Sequence, residues 1–140
     1  MKYSIIALFI SVILMSCAGQ NDETGDSTAD GASDNPYAAG EKIYTSMCIS
    51  CHQKNGEGVV GAFPPLANSD YLLADINRSI DIVKNGMQGE IVVNGQTYNG
   101  IMANQGLTDE EVRDVTNYIL NAWGNKGGEV SLDEVKTALK

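Results

Sequence analysis

Histidine and cysteine are scarce in this chain, which limits the metal chemistry that it can support. Its 140 residues include one histidine, His52, and three cysteines. A structural zinc site takes about four Cys or His ligands, so it would need every such residue, including Cys17, whose surroundings indicate another role. A thioredoxin-like redox centre requires a β-α-β context, and no run typical of a buried strand precedes Cys48. The sequence disfavours both kinds of site.

Basic residues are also few. The chain has nine Lys and Arg against 18 Asp and Glu, a formal net charge of −9. Loss of residues 1–16 would remove Lys2 and no acid, so the net charge would become −10. A strongly acidic protein is repelled by other polyanions. Nucleic acid and anionic surfaces are therefore not expected as partners.

The N-terminal apolar run is too short to span a bilayer. A spanning helix needs about 20 apolar residues, whereas the run from Ile5 to Leu14 is shorter and is broken by Ser11. Residues 1–16 are instead typical of a secretory signal peptide. The sequence Leu14-Met15-Ser16-Cys17 resembles a bacterial lipobox, which implies a lipidated Cys17 and a membrane-anchored protein on the periplasmic or cell-surface side. The alternatives are ordinary signal cleavage that leaves an odd thiol, or a retained short anchor.

Residues 17–35 follow as a polar, acidic segment. From Ala18 to Asn35 no apolar side chain is larger than alanine, and five acidic residues have no basic partner. Such a segment cannot bury enough surface to offset its ordering entropy. We predict a disordered tether with a reach of roughly 25 Å. The alternative is a spacer whose charges only keep it soluble.

Residues 36–140 are predicted to form one small domain with a helix near each end. Asn35-Pro36 is a plausible start for a helix over Tyr37 to Met47. Thr108 and Glu111 form a capping box that opens an amphipathic helix through about Trp123. A second capping box at Ser131 begins a short terminal helix.

The middle of the domain is predicted to contain short elements. Ser69 caps a helix from Asp70 to Asp75, and another helix covers Asn77 to Lys84. The stretch from Ile91 to Tyr98 places Asn94-Gly95 between β-prone residues, which predicts a hairpin.

The sequence Cys48-Ile49-Ser50-Cys51-His52 is the attachment signature for a c-type haem. Two thiols on one turn can add across the two vinyl groups of a haem, and the next residue projects an imidazole towards the iron. Histidine is the commonest protein ligand to haem iron. The alternative is a structural disulfide between Cys48 and Cys51 beside an incidental histidine.

The order of these elements resembles class I monohaem cytochrome c. The resemblance covers about Tyr37 to Trp123. The chain is particularly similar to small bacterial cytochrome c domains associated with respiratory oxidases and nitrite reductases, which share a Tyr-Asn-Gly-x-Met stretch, here Tyr98 to Met102. It implies an all-α cytochrome c fold with crossing N- and C-terminal helices around one haem, plus a small β-hairpin. It also implies that Gly40 and Tyr44 meet Val115 and Tyr118 at that crossing.

The second axial ligand of the iron must come from a residue other than histidine. Met47 adjoins Cys48 and lies on the attachment side, whereas Met87 and Met102 are both expected in loops that fold over the other face. The resemblance favours Met102, although Ala103 replaces the proline that relatives commonly carry next. Met87 is interpreted as a packing residue. The resemblance also assigns Pro64, or the adjacent Pro65, as the carbonyl partner of His52.

These inferences predict a membrane-tethered single-electron carrier with one covalent haem, working between a respiratory donor and a terminal oxidase or reductase. We expect a monomer that transforms no substrate, with Lys42, Lys54 and Lys84 as candidates for a basic rim. One alternative is a haem enzyme or gas sensor with an open iron position. The other is a fixed cytochrome subunit of an oxidoreductase complex.

Overall fold

The computed structural model describes residues 35–140. The predicted signal peptide, Cys17 and the tether up to Asp34 lie outside the described residues. Within residues 35–140, no helix combines the length and the hydropathy that crossing a membrane would require.

The first helical segment is longer than predicted and changes its winding. It consists of α1 (Ala38–Ile43), a π-helical turn (Tyr44–Cys48) and α2 (Ile49–His52). It begins at Ala38, after a turn in which the Asn35 side chain accepts a hydrogen bond of 2.9 Å from the Tyr37 amide. It ends where Gln53 adopts a φ of 65°. π-Helical turns inside α-helices are rare and are frequent at functional sites, and this one leads into the two cysteines.

Two short helices follow the loop after His52. α3 (Asp70–Ala74) is capped by the Ser69 hydroxyl, and α4 (Ile76–Asn85) is capped by the Asp75 carboxylate. Both lie within one residue of their predicted bounds, because the caps that set their first turns are encoded locally.

A β-hairpin follows α4 and is longer than the sequence indicated. β1 (Met87–Val93) pairs antiparallel with β2 (Gln96–Met102) around Asn94 and Gly95, both at positive φ. A turn with two positive φ values matches the twist of the strands, so the ladder continues to both strand ends. The expectation that Met87 and Met102 lie in loops was therefore wrong, because they are cross-strand partners at the base of the hairpin.

The tip of the hairpin is tied to α3 by a reciprocal pair of hydrogen bonds. The Asp70 amide donates to Asn94 Oδ1 at 3.0 Å, and the Asn94 amide donates to Asp70 Oδ1 at 2.7 Å. An isolated two-stranded hairpin is marginally stable in water. Anchoring the turn to a helix therefore gives the hairpin a fixed position.

The last two helices begin as predicted. α5 (Asp109–Asn121) starts at the Thr108 capping box and α6 (Leu132–Ala138) at the Ser131 capping box. α5 ends before Trp123, because Trp123 has a φ of 54° inside the short 3₁₀ turn Ala122–Gly124. The domain is thus mostly helical with one small two-stranded sheet, consistent with the predicted class.

The core lies along the apolar face of α5. The core joins α5 to the first helical segment, α3, α4 and α6. Its buried side chains are Tyr44, Leu72, Ile80, Leu107, Val112, Val115, Ile119, Leu120, Val130 and Val135. α1 packs against α5 at Gly40, where a Cβ atom would lie 2.0 Å from the Asp114 carbonyl oxygen. Only glycine permits this approach of the two backbones.

Substitution of Gly40 tests this contact. Alanine is the better helix former by about 1 kcal/mol, yet Gly40→Ala should lower the free energy of unfolding by about 1–3 kcal/mol through overpacking. Denaturant unfolding of the haem-loaded protein measures the change. Ala39→Gly, at the neighbouring exposed position, controls for helix propensity. An unchanged or increased stability of Gly40→Ala would contradict the close contact.

Candidate functional site

Two adjoining cavities lie between α2, the Pro64–Leu66 loop, α4 and the hairpin. Their volumes are about 80 and 360 Å³. Both are lined mainly by apolar side chains. The residues that contribute to both are Cys48, His52, Pro64, Met87, Ile91, Met102 and Gln105. The predicted attachment residues and both candidate methionines therefore share one apolar space.

The two cysteines after the π-helical turn are not bonded to each other. Cys48 and Cys51 are both half-buried and form no disulfide in the structure. Burial, and secondarily the neighbouring Cys51, raises the pKa of Cys48 to about 11. Cys48 therefore stays protonated at neutral pH and faces the cavity as a neutral thiol. The disulfide alternative is not supported by this geometry.

His52 is buried at the end of α2 with its ring orientation set by one hydrogen bond. Its Nδ1 lies 3.0 Å from the carbonyl oxygen of Pro64. Because a carbonyl can only accept, Nδ1 carries the proton and Nε2 keeps its lone pair for a metal. Burial lowers the pKa of His52, and the bond to Pro64 opposes part of that effect. The neutral, metal-binding form of the ring is thus favoured.

Gly58 supports this arrangement and was not singled out by its sequence. Its amide donates to the His52 carbonyl at 3.0 Å. A Cβ atom on Gly58 would lie 2.4 Å from the Phe63 carbonyl oxygen and 2.7 Å from that of Pro64. The glycine-rich stretch after the haem motif was visible in the sequence, but which glycine touches the Pro64 carbonyl depends on the fold of the loop.

The two candidate methionines occupy the base of the hairpin. Met87 and Met102 are directly paired, so their side chains leave the sheet on the same face. Both are half-buried and line both cavities. Met47 lines only the second cavity and is 41% exposed. Met47 is the least suited of the three to approach the iron opposite His52.

The backbone after Met102 is held against the end of α4. At Gly86, which has a φ of 77°, a Cβ atom would lie 2.3 Å from the Met102 carbonyl oxygen and 2.8 Å from the Asn104 amide nitrogen. Gly86 therefore lets the Met102 segment approach α4 more closely than any other residue would permit. Its role was missed, because the sequence showed it only as a helix terminator.

Lys84 binds the C-terminal end of the segment that follows Met102. Its Nζ donates to the Leu107 carbonyl and to Asp109 Oδ1, both at 2.7 Å. This corrects the interpretation of Lys84 as part of a basic rim, because its charge is paired with Asp109. Lys42 and Lys54 stay candidates for such a rim.

Three aromatic rings pack behind the attachment turn. Tyr44, Tyr118 and Trp123 have ring centroids 4.9–5.5 Å apart, and the Tyr44 hydroxyl donates to the Gln53 carbonyl at 2.6 Å. A Cβ atom on Gly56 would lie 2.5 Å from the Trp123 ring. Tyr98 lines the second cavity, whereas Trp123 belongs to this aromatic cluster.

The side chains in this space fit a covalently held haem. Two free thiols flank one helical turn, an imidazole presents Nε2, and thioether sulfurs line the same apolar cavity. Among residues 35–140, no three His, Cys, Asp or Glu side chains converge on a point where they could hold a metal ion directly. Two cysteines, one histidine and two methionine sulfurs around an apolar cavity suit iron held in a macrocycle, and this donor set defines a c-type haem protein.

Comparison with known proteins gives the family. The family model for cytochrome c matches residues 37–123. The chain belongs to the cytochrome c family, and its single attachment motif makes it a class I monohaem member with haem c bound covalently through Cys48 and Cys51.

Several relatives are similar to this chain. Cytochrome c-552 of Thermus thermophilus is 45% identical over 93 residues, which are 63% of this chain and 70% of that protein. Cytochrome c-551 of Bacillus subtilis (strain 168) is 34% identical over 83 residues, 59% of this chain and 70% of that protein. The cytochrome c subunit of a quinone alcohol dehydrogenase from Gluconobacter oxydans (strain 621H) is 32% identical over 84% of this chain but only 25% of its own length.

Substitution of Gly86 tests how the Met102 segment is held. Gly86→Ala combines strain at φ 77° and ψ −176°, a region essentially restricted to glycine, about 1–3 kcal/mol, with overpacking against the Met102 backbone, about 1–3 kcal/mol. We expect it to lower the free energy of unfolding by the sum of these effects. Gly128→Ala is the matched control, because Gly128 also has a φ of 77° but a Cβ atom there meets nothing within 4 Å.

The measurement is denaturant unfolding of both haem-loaded variants. Equal losses in the two variants would show that the contact between Gly86 and Met102 contributes no stability.

Proposed function

We propose that this protein is a membrane-tethered single-electron carrier of a respiratory chain, with His52 and Met102 as the axial ligands of its haem. Haem c supplies the one-electron ferric–ferrous couple. The observation that carries the proposal is the meeting of the Cys48-to-His52 turn and the Met102 strand at one apolar cavity. Electron transfer is the established function of the family. For this protein we propose the axial ligands, the membrane tether and the redox partners.

The hydrogen bonds around the site support this ligand set. The Pro64 carbonyl holds the His52 ring in the tautomer that presents Nε2. Met102 is held by its strand, by the contact with Gly86 and by the Lys84 link beyond it. Ligands held on both sides of the iron need little rearrangement when it changes oxidation state, and His/Met ligation raises the reduction potential.

The alternative of a haem enzyme or gas sensor has less support. It requires an open iron position and a polar residue that acts on the bound ligand. The polar side chain shared by both cavities on the methionine side is Gln105, and its amide donates to the Ala103 carbonyl at 2.7 Å. One of its two N–H groups is therefore directed to the backbone.

The second candidate function is that of a fixed cytochrome subunit. It is favoured by the similarity to the cytochrome c subunit of quinone alcohol dehydrogenase, which extends over 84% of this chain. The acidic tether favours a mobile carrier, since a domain on a flexible leash meets membrane-bound partners at high effective concentration. Copurification with an oxidoreductase at near-equal amounts would support the fixed subunit instead.

The ligand assignment is tested by Met102→His. Replacement of the thioether by imidazole should keep the iron low-spin, abolish the long-wavelength sulfur-to-iron absorption band of the ferric protein and lower the reduction potential. Spectra and redox titration of the haem-loaded protein measure these changes. Met87→Leu is the matched control and should keep the band. Loss of the band in Met87→Leu would show that Met87 is the resting ligand.

The tether is tested by Cys17→Ser. Without the lipidated cysteine, the protein should move from the membrane fraction to the soluble fraction of the cell envelope, because an apolar run this short does not hold a protein in a bilayer. Fractionation and intact mass measure the change, and Cys17→Ala serves as a second substitution. A Cys17→Ser protein that stays membrane-bound would point to a retained anchor.

A further inference from the structure

We propose that Met87 is a second thioether ligand for the same position on the iron, able to replace Met102 when the Met102 sulfur is displaced. In the exchange the Met102 sulfur–iron bond breaks and a Met87 sulfur–iron bond forms, each sulfur using its own lone pair, with no net electron or proton transfer. The inference rests on the proposed function, in which Met102 is the resting ligand.

The strand register places Met87 and Met102 side by side on one face. Met87 and Met102 are Cα partners in the ladder, and the Cβ atoms of directly opposed residues lie about 4.5–5.5 Å apart on one face. The next residue on each strand, Gln88 and Ile101, points to the other face and is exposed. The surface that the Met102 side chain faces is therefore also within reach of the Met87 side chain.

The shared cavities indicate what the two methionines face. Each lines both cavities, and so does His52. The lining of the first cavity is almost wholly apolar, so a sulfur lone pair there has few competing polar partners. Both methionines are half-buried, which leaves each side chain some freedom to move.

The neighbouring pair on the same strand face contributes no bulky side chain. Gly89 is paired with Gly100, and both line the second cavity, where the haem would be held. Methionine has three rotatable bonds and adapts to irregular space, so Met87 has several rotamers with which to approach the iron.

The backbone at the base of the hairpin is held independently of either sulfur. The Gly86 amide donates to the Ile82 carbonyl at 2.8 Å, and Gly86 packs directly on the Met102 carbonyl. Release of the Met102 sulfur therefore leaves the backbone of both residues in place. Met87 then needs only a side-chain movement to approach the vacated position.

The experiment uses the full-length, haem-loaded protein and four variants. These are Met102→Leu, Met87→Leu, the double variant Met87→Leu/Met102→Leu, and Met102→Leu/Val92→Leu. Val92 lies on the same strand as Met87 but is 53% exposed and lines neither cavity, so Val92→Leu alters the hairpin outside the haem site. The readouts are the long-wavelength sulfur-to-iron band of the ferric protein and the affinity of the ferrous protein for carbon monoxide.

The proposal predicts that Met102→Leu keeps a sulfur band and that the double variant loses it. If Met87 occupies the iron about nine-tenths of the time, carbon monoxide should bind Met102→Leu about tenfold more weakly than the double variant. Met102→Leu/Val92→Leu should behave like Met102→Leu. Intact mass and circular dichroism confirm that every variant carries haem and is folded.

Other outcomes overturn one of the two proposals. If Met102→Leu lacks the band, or matches the double variant in carbon monoxide affinity, Met87 does not replace Met102, and the proposed function is unaffected. If Met87→Leu alone lacks the band, Met87 is the resting ligand, and both the proposed ligand set and this inference are wrong.

Discussion

The hydrogen bond of 3.0 Å between His52 Nδ1 and the Pro64 carbonyl connects the two parts of the chain on which the haem site depends. It joins the helical turn that carries Cys48 and Cys51 to the extended loop after it. Because the bond directs the Nε2 lone pair, it also defines where an iron ligand opposite His52 must lie. Gly58 permits the bond by leaving space beside the Pro64 carbonyl, and the hairpin then supplies the sulfur side of the same cavity.

The methionine side of the site is held by backbone contacts more than by side chains. The turn at Asn94 and Gly95 determines the register of the hairpin, the Asp70–Asn94 hydrogen bonds fix its tip, and Gly86 fixes its base against α4. The close packing of Gly86 on the Met102 carbonyl provides rigidity at that point, which suits a carrier whose ligands should move little during electron transfer.

Local patterns predicted the elements whose signals are contained within a few residues. The capping boxes at Thr108 and Ser131, the cap at Ser69 and the Asn-Gly turn all rest on short-range hydrogen bonding, and each starts the element that was expected. The errors came where distant segments meet. The strands extend to Met87 and Met102 because pairing adds residues that have no strand signal of their own, and α5 stops before Trp123 because that ring packs with Tyr44 and Tyr118.

The sequence by itself determined the chemistry, because Cys48, Cys51 and His52 are contiguous and their spacing is already the reactive arrangement on one helical turn. It also determined the order of the helices, since their caps and apolar periodicity are local. Only the tertiary structure decided which carbonyl meets His52, which glycines are required, and that Met87 and Met102 face the same cavity. Those facts depend on contacts between residues far apart in the chain, and such contacts become visible only after the backbone has packed.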